Sequence, residues 1–113
     1  MPSYDRNNIF ARILRGELPA KKVYEDEFAL AFHDINPRAA THVLVIPKGE
    51  YVSHVDFIRT APPDMFTGFW RAVVETAKQL GVEDGYRLAA HHGATGGQLV
   101  FHFHVHILAG AKA

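Results

Sequence analysis

Apolar residues recur along the chain with two different periods, and the switches between them mark its elements. Ile9, Phe10, Ile13 and Leu14 share one helical face, with Asn7 or Asn8 placed to cap the start and Gly16 to close the end, predicting a short N-terminal helix. Residues 1–7 carry no such pattern and are expected to be frayed. After Pro19, residues 22–24 and 28–33 read as two short strands around the acidic turn Glu25-Asp26-Glu27, and Asn36-Pro37-Arg38 reads as a further turn. His42-Val43-Leu44-Val45-Ile46 is a β-branched strand stopped by Pro47-Lys48-Gly49.

From Pro62-Pro63-Asp64 the period lengthens. Phe66, Phe69, Trp70, Val73, Val74, Ala77 and Leu80 follow at helical spacing and Gly81 ends the run, so this is the main helix, started by fixed proline φ and an acidic first turn. Residues 85–91 are expected to form a strand, 93–97 a glycine-containing turn and 98–108 the last strand. The elements add up to an α+β fold: an antiparallel sheet of about five strands, one main helix on a face, and the short N-terminal helix. With no repeat, low-complexity tract or linker, the 113 residues are expected to be a single domain over 1–113.

The last predicted strand carries the chemistry. In Val100-Phe101-His102-Phe103-His104-Val105-His106-Ile107-Leu108, three histidines alternate with apolar residues, so a strand sets three imidazoles on one face and Phe101, Phe103, Val105 and Ile107 on the other. One histidine on an apolar strand is ordinarily a hydrogen-bonded core residue; three in strict alternation must share out donors and acceptors consistently. Metal ligation is a second reading, but His102 and His106 are roughly 13 Å apart along an extended strand, so all three cannot reach one ion. The third is nucleophilic and acid–base catalysis on a phosphoryl group laid along the stripe, with backbone N–H groups of Gly93-Ala94-Thr95-Gly96-Gly97 available to an anion.

Composition narrows the partners. Twelve basic residues balance twelve acidic ones, which argues against nucleic acid or an anionic membrane and leaves a small anion needing only a local site. The absence of cysteine excludes disulfides, thiolate catalysis and cysteine metal sites. A polar N-terminus without the apolar core of a signal peptide, and no apolar stretch near ~20 residues, make the cytoplasm the expected location.

At this point the chain resembles the histidine-triad (HIT) family, specifically its Hint branch. The resemblance rests on Gly96-Gly97-Gln98 followed by His-x-His-x-His, and on Asn8-Ile9-Phe10, Arg15-Gly16-Glu17-Leu18-Pro19-Ala20, Val23-Tyr24-Glu25-Asp26, Ala31-Phe32-His33-Asp34-Ile35-Asn36-Pro37, His42-Val43-Leu44-Val45-Ile46-Pro47-Lys48 and Gly85-Tyr86-Arg87, covering residues 8 to 110. It implies a HIT-like fold, a homodimer whose sheets join, and metal-independent cleavage of purine nucleoside phosphoramidates or related conjugates through a nucleotidyl-histidine intermediate, with no cofactor. By motif position it implies His104 as nucleophile, His102 orienting it, and His106 on the phosphate or leaving side. Asp34 would take the ribose hydroxyls with His33 near the ribose, Ile9, Phe10, Ile13, Leu18 and Phe32 would line the base pocket, and Gly97 and Gln98 would flank the phosphate.

Departures qualify the carry-over. Glu50 stands where many relatives have histidine; it can orient His102 but is expected to face solvent. His91 replaces an asparagine that supports the phosphate site, and Leu99 replaces a residue that in some relatives supplies a hydroxyl. Asn8 and Ala11 hold the places of a zinc-binding cysteine pair found in some bacterial members, so that zinc is not expected here. This sequence stops three residues after Gly110, so substrate preferences set by the longer tails of some relatives do not transfer. A nucleotide-binding regulatory or scaffold dimer with little catalysis, and a metal-dependent hydrolase, are the competing readings.

Overall fold

The structure, a computed structural model, describes residues 3–110. Five antiparallel strands form one sheet in the order β1-β2-β3-β5-β4, from β1 (Lys22–Glu25), β2 (Ala29–His33), β3 (Thr41–Pro47), β4 (Arg87–Ala89) and β5 (Val105–Ala109). Three α-helices accompany it: α1 (Ile9–Leu14), α2 (His54–Thr60) and α3 (Pro63–Gln79). The α+β expectation holds in class, strand number and strand direction.

Alternation along the strands builds two layers. Ala29, Ala31, Val43, Val45, Val105 and Ile107 face Phe69, Ala72 and Val73 of α3, with Phe57 of α2 and Phe103 closing that core. Leu30, Phe32, Leu44 and Ile46 face the opposite way and are covered by Phe10 and Ile13 of α1. The register puts His106 opposite Leu44, so the histidine strand joins the α1 side of the sheet. Among the described residues no helix is long and apolar enough to cross a membrane.

Local chemistry explains the element ends. The Asn8 side chain accepts from Ala11 N–H at 2.9 Å to start α1, and Gly16 closes it at φ 78°. Asp26 turns β1 into β2 by accepting from the N–H groups of Phe28 (2.8 Å) and Ala29 (3.0 Å). Pro63 at the first helical position opens α3.

Three expectations are corrected. First, α2 was not foreseen: it buries one side chain, Phe57, too few to show a period, and its readable signal was the capping pair, in which Ser53 Oγ accepts from Asp56 N–H and Asp56 accepts from Val52 N–H. Second, the residues 98–108 strand is only Val105–Ala109. Pro47 has no N–H to extend the ladder, and two imidazoles take the acceptors a strand would use: His102 Nε2 donates to Pro47 O (2.9 Å) and His104 Nδ1 to the His102 carbonyl (2.8 Å). Third, Phe66 and Val74 of α3 are exposed, since the buried stripe is the narrower set Phe69, Ala72, Val73, Thr76 and Ala77. Residues 4–7, expected to be frayed, make several contacts. Tyr4 reaches His102, Asp5 accepts from the N–H groups of Asn7 and Asn8, and Arg6 pairs with Glu50. Met1 and Pro2 lie outside the described residues.

Candidate active site

The three histidines are buried in a continuous stretch, and each ring's protonation follows from what it touches. Pro47 O is an acceptor only, so His102 carries its proton on Nε2, and its Nδ1 accepts from Tyr4 O–H at 2.6 Å. The His102 carbonyl likewise requires a proton on His104 Nδ1, which leaves a lone pair on His104 Nε2. Arg38 N–H donates to His42 Nδ1 at 3.0 Å, so His42 carries its proton on Nε2 and gives it to His106 Nδ1 at 2.8 Å. His106 therefore keeps a proton on Nε2. The alternating stripe becomes one ring with a free lone pair beside one ring with an N–H, their centroids 5.2 Å apart.

Burial keeps these rings neutral. Loss of hydration pushes His102 and His106 down to about 4 and holds His104 and His42 below the ordinary histidine value, against the opposing pull of backbone acceptors and of Asp34. A neutral imidazole keeps one unprotonated ring nitrogen, the form that can act as a base or nucleophile.

A cavity of about 560 Å³ opens over the pair, lined by Phe10, Asp34, Asn36, Arg38, Leu44, His91, Gly97, Leu99, Val100, His104 and His106. A larger hollow of about 730 Å³ adjoins it at Asp34; it is lined by His33, His42 and Ile35 but by neither His104 nor His106, which both face the smaller one. Asp34 sits between them, one oxygen accepting from Asn36 N–H at 2.8 Å and the other 3.4 Å from His42 Nε2. His42, Arg38, Leu44 and Ile35 line these hollows with no motif in the sequence to mark them as site residues. His42 was legible only as a strand residue, and its partner His106 is 64 positions away.

Other expected site residues fall differently. Phe10 lines the cavity, edge-on to His104 at 5.0 Å between ring centroids, whereas Ile13, Phe32 and Leu18 pack beneath it in the core and Ile9 is exposed. Gln98 is buried and uses its amide within the loop, accepting from Gly93 N–H and donating to the carbonyls of Val52 and Val100. In the glycine turn the N–H groups of Gly93, Gly96, Gly97 and Gln98 are bonded within the turn, so these four are not offered to an anion. Gly97, at φ 91°, is required by the turn and brings the chain against the His91 ring. His91 stands 5.4 Å from the His106 ring. Leu99 is 90% exposed and offers no donor, and Glu50 faces away, paired with Arg6.

No metal ligand had been assigned from sequence. Among the described residues, donor atoms of Asp34, His42 and His106 lie within 4.8 Å of one another, a set with the size and donor chemistry to hold a divalent cation. An ion there would take the place of the proton shared by the two rings.

An antiparallel five-stranded sheet presenting a buried His-x-His-x-His beside a cavity defines a histidine-triad protein. The HIT domain model matches residues 15–113, and the chain belongs to that family. It is 54% identical over 111 residues to an uncharacterized 13.2 kDa HIT-like protein of Azospirillum brasilense, covering 97% of this chain and 91% of the relative. Among solved structures it is similar to a HIT family hydrolase from Clostridium thermocellum (TM-score 0.85, 39% identity, 96% of this chain and 94% of that one). It is also similar to a histidine triad nucleotide-binding protein from Candida albicans (TM-score 0.83, 28% identity, 94% and 76%).

Proposed function

We propose that this protein is a Hint-type nucleotidyl hydrolase that cleaves purine nucleoside 5′-phosphoramidates or related conjugates through a covalent nucleotidyl-His104 intermediate. The observation that carries this reading is the pairing of ring states: His104 Nε2 holds a lone pair because Nδ1 is committed to the His102 carbonyl, while His106 holds an N–H because Nδ1 is committed to His42.

In the first step His104 Nε2 attacks the α-phosphorus. A P–Nε2 bond forms as the bond from phosphorus to the leaving nitrogen breaks, and that nitrogen keeps the electron pair, accepts the His106 Nε2–H hydrogen bond and leaves as the amine by taking a proton from solvent. Water then attacks phosphorus, the P–Nε2 pair returns to His104, and the water gives one proton back to solvent. Arg38 offsets the phosphate charge, Asp34 accepts from the ribose hydroxyls, and His33 and Ile35 flank the nucleoside in the adjoining hollow. A homodimer is part of this reading: the exposed Phe66 and Val74 of α3, with Trp70, leave an apolar strip, and among the described residues the three-residue edge strand β4 has no neighbour on one side.

Rapid quenching of the protein with adenosine 5′-phosphoramidate, in chelator, tests the intermediate. A nucleotidyl adduct on the His104 peptide is expected by mass spectrometry. Nucleotide binding without an adduct would favour the regulatory dimer, a reading that the donorless Leu99 supports; turnover abolished by chelator would favour the metal-dependent one. A second test addresses the nucleoside. Asp34→Ala should weaken AMP binding roughly tenfold or more, the worth of a charge-assisted hydrogen bond, and remove the preference over 2′-deoxy-AMP. Equal losses for both nucleotides, read by calorimetry, would remove Asp34 from the ribose.

A further inference from the structure

One contact to the triad comes from outside every segment that the proposed mechanism uses. Tyr4 lies 98 positions before His102, yet its hydroxyl is 2.6 Å from His102 Nδ1 and its ring meets the imidazole edge-on, centroids 5.6 Å apart. His102 is fully buried, and its other nitrogen is already spent on Pro47 O. The phenol is therefore the donor that satisfies the last polar atom of the ring. The segment bearing Tyr4 is held at several points. Arg15 donates to the Arg6 carbonyl at 2.7 Å, Arg6 pairs with Glu50 at 2.9 Å, and Asn8 N–H and Nδ2 both donate to the Asp5 carbonyl.

We propose that Tyr4 is a positioning residue for catalysis: by gripping His102 Nδ1 it fixes the His102 carbonyl that sets the His104 ring state. The chain of action is short. Tyr4 O–H and Pro47 O clamp the His102 ring at both nitrogens, and a ring clamped at both ends cannot rotate about its χ angles. The backbone that carries it is held in turn, so its carbonyl stays aimed at His104 Nδ1 at 2.8 Å. Glu50, expected from sequence to face solvent, does so and anchors Arg6, which holds the strap that carries Tyr4. Burial raises the Tyr4 pKa, which keeps the phenol protonated and a donor across the neutral range.

The inference rests on the covalent reading for its rate consequence but not for its structural one, so two measurements separate them. Tyr4→Phe keeps the ring and removes only the hydroxyl. ¹⁵N-detected NMR of the histidine rings should show wild-type His104 as a single Nδ1–H form, and Tyr4→Phe as a mixture of ring states with the His102 Nδ1 resonance moved to an unbonded position. Turnover of adenosine 5′-phosphoramidate should fall about tenfold in kcat, the worth of one neutral hydrogen bond, with KM and AMP affinity within about twofold. Arg6→Ala, which loosens the strap without touching the triad, should move both readouts in the same direction by less. An unchanged His104 ring state in Tyr4→Phe overturns the proposal whether or not the protein turns over. An altered ring state with unchanged kcat in an active protein also overturns it. If wild type has no turnover, the covalent reading fails and the NMR arm alone decides the role of Tyr4.

Discussion

Replacing His104 by alanine should lower hydrolysis of adenosine 5′-phosphoramidate by on the order of 10⁴-fold or more while AMP affinity stays within about threefold. The loss is large because neither other triad ring can substitute. His102 Nδ1 is held by Tyr4, His106 Nδ1 is held by His42, and His106 Nε2 bears a proton, so of the three triad rings only His104 presents a lone pair, on Nε2, to the cavity. Binding survives because Asp34, Arg38 and the apolar walls remain. Alanine also removes the ring that packs against Phe10 and the donor to the His102 carbonyl, so His104→Asn is the better-folded companion. Its side-chain amide can still donate to that carbonyl, and it should be equally inactive. Single-turnover kinetics with either variant check the result, and retained turnover would end the covalent assignment.

The second large effect is on stability against pH. Unfolding free energy should fall by roughly 2 kcal/mol for each of His102 and His106 between pH 7 and pH 5. The sign follows from linkage. Both rings are depressed from 6.5 to about 4 in the folded protein, so below 6.5 the unfolded chain takes up protons that the folded one refuses. Stability is therefore complete above 6.5 and is lost as pH falls from 6.5 towards 4. The cause is desolvation: His102 is enclosed by Tyr4, Phe10, Pro47 and His104, and His106 by His42, His91 and His104. Urea titrations at the two pH values and one protein concentration measure the difference, and His106→Gln should remove about half of it. A stability that does not change from pH 7 to pH 5 would mean that these rings are hydrated in solution.

The apolar pattern made most of the scaffold legible. The continuous apolar run at residues 42–46 reports a strand buried on both faces and the helical spacing from Pro63 reports one-sided burial, local properties that a linear pattern records directly. Elements that bury little left little trace: α2 contributes Phe57 alone, and α3 carries an apolar strip wider than the face it buries. In the site, the alternation of His102, His104 and His106 marked three imidazoles that the fold buries together, but for a geometry that only half exists, since the strand starts at Val105.

What the sequence by itself determined was the family, the class of fold, and the three imidazoles beside an apolar core, because each is written in spacing along one segment. Tertiary structure alone decided the state of each ring. A histidine's proton sits where its partner demands, and the partners Pro47, Tyr4 and His42 lie between 55 and 98 positions away in sequence. A hydrogen bond depends on distance in space, and no period along the chain encodes which remote carbonyl or hydroxyl the fold will bring within 3 Å of a given nitrogen.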